Sequence, residues 1–320
     1  MTSDLFEDVI DVAALANEAE SPDPQRRRVA VLNATDSGDP EALALILRLS
    51  TDDDAGVRRQ VAQGLGTFDG AIVAKALVRL LRDDHPEVAA AAAESLAELK
   101  DPECAAAIVA NLDDPKPEVR TALLRGVKEL RSPLAWGPAL EALQDSDAGV
   151  RAQAVSVIGY LNREDSVPAL QAAARDPDPG VRRGAVSALG FSRTAGAVET
   201  IIRSLSDSAW PVRESAAETL GISKSDSIDP TPLIGALDDD YWQVRLKAVR
   251  SLGLLDCGEA ATRIVDSLAH PEANLRKEAA SVIGHLARTE TRAALEKAAA
   301  DPDADVRKNV RWALSRIAGL

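Results

Sequence analysis

Histidine, cysteine and aromatic residues are scarce in this chain. It holds three His and two Cys in 320 residues, and Phe, Trp and Tyr together make up 3%. Three imidazoles cannot assemble a metal centre that needs several His beside converging carboxylates, so no metal is expected. Two cysteines give no disulfide framework. No apolar run approaches the roughly 20 residues of a membrane-spanning helix. The first residues, Met1 to Asp8, are acidic and lack the basic start of a secretory leader. Cations are also in deficit. Lys and Arg number 37 against 51 Asp and Glu, a formal net charge of -14, which weighs against a phosphate-tracking nucleic-acid surface. There is no Gly-x-Ser-x-Gly elbow and no glycine-rich phosphate loop after a strand. No catalytic set is found and no cofactor is expected.

What the chain does have is a repeat. Val57-Arg58, Val119-Arg120, Val150-Arg151, Val181-Arg182, Val212-Arg213, Val244-Arg245, Leu275-Arg276 and Val306-Arg307 share one phase, and Val88-Ala89 keeps the phase without the Arg. The step is 31 residues, with a single step of 32 between Val212 and Val244. A fixed period of this size predicts stacked supersecondary units, each contacting mainly its neighbours. Within a unit, Val181, Ala185, Ala188 and Leu189 fall on one face of a 3.6-residue helix. The preceding Asp176-Pro177-Asp178-Pro179 breaks one helix and starts the next, as cap and first-turn residues. Gly190 closes the second helix, where a left-handed residue is expected. The fold predicted is all-α: an α-solenoid, a right-handed superhelix of about ten two-helix units.

Asp precedes the repeat Arg by six residues at Asp52/Arg58, Asp114/Arg120, Asp145/Arg151, Asp176/Arg182, Asp207/Arg213, Asp239/Arg245 and Asp301/Arg307. Stacking brings each Arg near an Asp of its own or the next turn. A guanidinium fork matches a carboxylate at two points. Seven copies predict a structural ladder along one edge, since catalysis does not need seven.

The pattern Asp-Pro-Asp-Pro-x-Val-Arg-x-x-Ala-x-x-Ala-Leu-Gly, best seen at 176–190 and 145–159, resembles the HEAT-repeat superfamily. More narrowly it is similar to the phycobilisome-lyase-type HEAT-like repeats. The resemblance covers at least 52–320 and implies a helical solenoid. It also implies a range of roles, among them scaffolds, assembly factors and bilin lyase subunits. Di-iron deoxyhypusine hydroxylases use similar repeats with Arg-His-Glu ligands. The nearest stretch here, Arg276-Lys277-Glu278, has Lys in place of the His.

On this reading residues 1–320 form a single solenoid. Residues 1–34 are a degenerate N-terminal capping repeat, with an amphipathic helix carrying Leu5, Phe6, Val9, Ile10, Val12, Ala13 and Leu15. Residues 304–320 are a C-terminal capping helix, in which Trp312 is expected to cover the end of the stack. Trp136 aligns with Val167 in the core of a first helix. The segment 222–231 reads as a longer surface loop. Cys104 and Cys257 lie five units apart, too far to pair; Cys104 reads as a packing residue, and Cys257, in a turn, as exposed. Free thiols fit a cytoplasmic location.

The irregular positions carry the functional signal. Two residues before the repeat Val stands Pro or Ala in six units, but Trp210 and Trp242 in two neighbours, the latter beside Tyr241. Lys247 and Arg250 lie nearby in the part of the second helices richest in cations. These five are the candidate partner-binding residues. The function expected is a non-catalytic scaffold, adaptor or assembly factor that binds a partner protein. The alternative, from the resemblance alone, is a bilin or tetrapyrrole lyase-type subunit or a chaperone acting on a chromophore-bearing protein.

Overall fold

The structure is a computed structural model that describes residues 12–223 and 228–319. Leu5, Phe6, Val9 and Ile10 of the expected first helix, and part of the expected loop, lie outside the described residues. The chain divides into two compact units, Met1–Leu161 and Asn162–Leu320.

Among its described residues unit 1 holds five helix pairs: α1 (Val12–Ala19) with α2 (Pro24–Ser37), α3 (Pro40–Leu49) with α4 (Ala55–Leu65), α5 (Ala71–Leu80) with α6 (Pro86–Glu98), α7 (Cys104–Val109) with α8 (Pro117–Glu129), and α9 (Trp136–Ala142) with α10 (Ala148–Leu161). The second helices pack in chain order, α2 on α4, α4 on α6, α6 on α8 and α8 on α10. First helices form the other layer, with α1 against α3 and α5 against α7.

Unit 2 repeats the scheme with α11 (Val167–Ala173) and α12 (Pro179–Leu189), α13 (Ala195–Ser204) and α14 (Trp210–Ile222), α15 (Thr231–Gly235) and α16 (Trp242–Leu254), α17 (Ala261–Ile264) and α18 (Ala273–Leu286), and α19 (Arg292–Ala298) and α20 (Ala304–Ala318). Its second helices also stack consecutively, from α12 to α20. Among the described residues there is no strand. The chain is a two-helix repeat solenoid, as the period predicts.

The phase-setting residues form the core. Val57, Val88, Val119, Val150, Val181, Val212, Val244, Leu275 and Val306 are at most 3% exposed. The turn chemistry also follows the sequence: the Asp178 carboxylate accepts the N–H groups of Gly180 and Val181 at 2.7 and 3.1 Å, and Pro179 opens α12. The glycine reading is corrected. Gly190 has φ −61°, an ordinary helical value. It is needed for a close approach, because a Cβ there would run into the Thr219 methyl of α14. The left-handed residue that ends α18 is Ala287, at φ 49°, three positions after Gly284. A Cβ on Gly284 would lie 2.5 Å from the Trp312 ring. Trp312 therefore packs on α18 while remaining 44% exposed.

Candidate interaction surface

The ladder exists, and its register is now explicit. Arg58 donates Nη1 to the carbonyl of Asp52 in its own turn at 2.7 Å. Its Nε and Nη2 reach the carboxylate of Asp83 in the next turn, at 2.6 and 2.9 Å. Asp83 in turn accepts the His85 N–H at 2.9 Å. Arg58 thus ties its own turn's backbone to the next turn's carboxylate, and that carboxylate holds its own turn closed.

The same two-point pairs join Arg120 to Asp145 and, in unit 2, Arg182 to Asp207, Arg213 to Asp239 and Arg276 to Asp301, at 2.6–3.0 Å. Across these pairs and Arg58–Asp83, the Arg side chains are 11–15% exposed and the Asp 6–13%. Arg151 donates to the carbonyls of Asp145 and Ser146 in its own turn, and Asp176 accepts the Asp178 N–H.

Two rungs were not read from the sequence. Arg27 pairs with Asp52, both contacts at 2.7 Å. It stands 31 residues before Arg58, so the degenerate first repeat keeps its rung. Where Ala89 lacks the guanidinium, Arg82 comes from the preceding turn to Asp114 at 2.5 Å. The signal that could have found Arg27 is the 25-residue spacing from Arg to acceptor; Arg82 lies off that spacing.

The electrostatics follow the contacts. The Arg58 guanidinium holds Asp83 below the usual carboxylate range, and Arg276 does so for Asp301. For Asp207 and Asp239, burial alone would push the carboxyl up, but Arg182 and Arg213 outweigh it and both are lowered. The paired guanidinia are raised in turn.

In unit 2 the ladder carries the aromatic turns. Asp239 accepts the Tyr241 N–H at 2.9 Å and so fixes the start of α16. The Tyr241 ring stacks with Trp210 at 5.5 Å between centroids and 16° between planes. The Arg213 guanidinium lies 5.6 Å from the same ring. Tyr241 is 44% exposed, while Trp210 and Trp242 are half-buried. The ring next to Trp210 is thus Tyr241. Lys247 and Arg250 are engaged with neighbouring helices: Lys247 with Glu218 at 2.6 Å, and Arg250 with Glu278 at 3.0 and 3.2 Å. The cation-rich stretch is therefore offset by carboxylates.

Cys104 is buried and its thiol donates to Asp69 at 3.3 Å. Burial, then the Asp69 contact, pushes that thiol up to about 12. Cys257 is 9% exposed, which corrects the exposed reading. Trp136 is half-buried at the start of α9. Among the described residues no three His, Cys, Asp or Glu side chains converge as a metal site. No helix there is long and apolar enough to cross a membrane. A cleft of about 500 Å³ in unit 1 is lined by Val109, Leu112, Asp113, Arg120, Glu141 and Asp145. The one cation of its lining, Arg120, is already held by Asp145.

Comparison with known proteins agrees with this architecture. The protein-family profile described as HEAT repeats matches residues 12–88, 73–136, 138–221 and 230–315. The X-ray structure of YIBA_ECOLI is 19% identical with a TM-score of 0.54, covering 90% of this chain and 95% of that one. A chain from the structure of Kap95p binding to RanGDP has a TM-score of 0.68 at 14% identity, over 96% of this chain and 51% of that one. The karyopherin Kap121p, bound to the extreme C-terminus of the phosphatase Cdc14p, gives 0.64 at 14% identity, over 96% and 41%. At these identities the likeness concerns the fold. This chain spans about half and two fifths of the last two. No curated protein matches the chain.

Proposed function

This chain belongs to the HEAT-repeat family, and we propose that it is a non-catalytic scaffold, adaptor or assembly factor that binds a partner protein. The observation that carries the reading is the Trp210–Tyr241 stack, with Tyr241 44% exposed, held on ladder turns. Aromatic rings fixed by a rigid frame lose little entropy on binding and are enriched at interface hot spots. Trp242 belongs to the same surface. Lys247 and Arg250, with Glu218 and Glu278, form its charged rim. The structural neighbours named for Kap95p and Kap121p are described with protein ligands, which supports the same class of role.

In this proposal residues 1–320 act as one repeat array, with 1–34 and 304–320 as its caps, in the cytoplasm. The narrower lyase-type branch would need free cations at a cleft for tetrapyrrole propionates; in the cleft at Arg120 that cation is held by Asp145, and in a second cleft of about 460 Å³ Lys297 stands with Asp266 and Asp301. The test is affinity capture from native lysate with wild-type chain and with Trp210→Ala/Trp242→Ala. Loss of a captured protein by tenfold or more, with helicity unchanged, is the expected result. An unchanged capture list with a much lower Tm would overturn it, because the rings would then only be packed.

A further inference from the structure

In the ladder every guanidinium can be asked which carboxylate it holds. For Arg27, Arg58, Arg120, Arg182, Arg213 and Arg276 the answer is an Asp 25 or 26 residues on. Arg245, in unit 2, is different. Its Nε donates to the carbonyl of Asp239 in its own turn, and among the described residues it makes no ion pair. Twenty-five residues on from Arg245, where the carboxylate belongs, stands His270.

His270 keeps the local duty of the missing Asp. Its Nδ1 accepts the Glu272 N–H at 3.0 Å, where Asp301 accepts the Asp303 N–H at 2.8 Å. Its carbonyl accepts Arg276 Nη1 at 2.9 Å. Because Nδ1 is the acceptor, the proton of the neutral imidazole sits on Nε2, which makes that atom a donor. The ring is also disposed to stay neutral: burial, then the positive charge of Arg245 and, less so, of Arg276, lowers its pKa, opposed by Glu272. A donor thus replaces the acceptor, and among the described residues no carboxylate pairs with the Nη groups of Arg245.

We propose that Arg245 and His270 form an open rung that takes the carboxylate of an acidic side chain from a partner protein through the two Nη groups of Arg245, because its Nε is held by the carbonyl of Asp239. The proposal rests on the interaction reading above and sharpens it. The turn whose carbonyl holds Arg245 is also the turn that carries Tyr241 and Trp242. The partner segment is therefore an Asp or Glu flanked by apolar residues. A guanidinium fork selects a carboxylate by shape as well as charge, and the neighbouring rungs show that this frame accepts one.

The test is an NMR titration of the full chain, observing the Arg side-chain Nε–H resonances. The probes are acetyl-Leu-Asp-Leu-amide, its Asn counterpart and acetate. The expected result is a saturable shift of Arg245 with the Asp peptide and none with the Asn peptide. Arg182, already paired, should not respond. His270→Asp should close the rung from within and abolish the shift; Arg245→Gln should weaken peptide binding at least tenfold. No saturable shift in the wild type, or an equal shift in His270→Asp, would overturn the proposal. Acetate binding as tightly as the Asp peptide would overturn the assignment to a protein segment. Acetate applied to Trp210→Ala/Trp242→Ala separates the two readings: a retained Arg245 shift with unchanged lysate capture sinks the aromatic surface, and an absent shift with lost capture sinks the rung.

Discussion

Arg182 and Asp207, 25 residues apart, meet at two points, Nε to Oδ2 at 2.7 Å and Nη2 to Oδ1 at 2.8 Å. The same Arg donates Nη1 to the carbonyl of Asp176 at 2.9 Å. One side chain therefore fastens two consecutive turns. Arg182→Ala leaves Asp207, 12% exposed, without its cation, and removes the guanidinium's bond to a turn carbonyl. The expected loss is about 1–3 kcal/mol of stability, read from urea unfolding. Arg182→Lys should recover only part of it, because an ammonium cannot span both oxygens.

The ladder also sets a pH dependence. Asp83, Asp145, Asp207, Asp239 and Asp301 are all held below the free value of 3.8. A depressed folded pKa gives stability that is fully present above the unfolded value and is lost as pH falls through the folded one. The urea midpoint should be nearly flat from neutral pH to about pH 5 and fall steeply below about pH 4. Arg182→Ala should show a shallower fall, because Asp207 then loses its main partner. An equal slope in both proteins would mean that the rungs do not govern acid unfolding.

How much of this was legible follows from how each feature is encoded. The period of the Val-Arg pair fixed the two-helix repeat, because burial of Val57 through Val306 demands one phase. The Asp and Pro spacing fixed the turns, because their chemistry is local. The partner of each Arg was open between two turns, since only packing decides it. The glycines misled: Gly190 reads as a left-handed cap from its neighbours in sequence, yet it is defined by Thr219, 29 positions on. From sequence, His270 before Pro271 reads only as a turn residue. Its place as the ladder's missing acceptor appeared only once the 25-residue register was known.

Gly190 offers a direct test of that correction. Its backbone is already helical, so Ala costs nothing in φ and should gain slightly in propensity. The added Cβ would meet the Thr219 methyl, in a side chain 4% exposed. Overpacking of this kind costs typically about 1–3 kcal/mol. Gly190→Ala should therefore lower the Tm, and adding Thr219→Ser, which removes the methyl and keeps the hydroxyl, should restore most of the loss. A left-handed requirement at Gly190 predicts no relief from Thr219→Ser.

The rung at Ala89 can be rebuilt. Asp114 is 4% exposed and depends on Arg82 for its cation, since the repeat position 25 residues before it is Ala89. Arg82 is a substitute drawn from the preceding turn, and its side chain is 39% exposed where ladder Arg such as Arg58 is 15% exposed. Arg82→Ala should destabilise by about 1–3 kcal/mol, the cost of a buried carboxylate left with only its backbone contact. Adding Ala89→Arg should bring a guanidinium to Asp114 in the frame that Arg58 uses for Asp83, with the carbonyl of Asp83 accepting Nη1. The double variant is expected to match or exceed the wild-type urea midpoint. Ala89→Arg alone should change little, because Arg82 already occupies the carboxylate. A double variant no more stable than Arg82→Ala would show that the register of this repeat differs from its neighbours, and the ladder would not be a transferable unit.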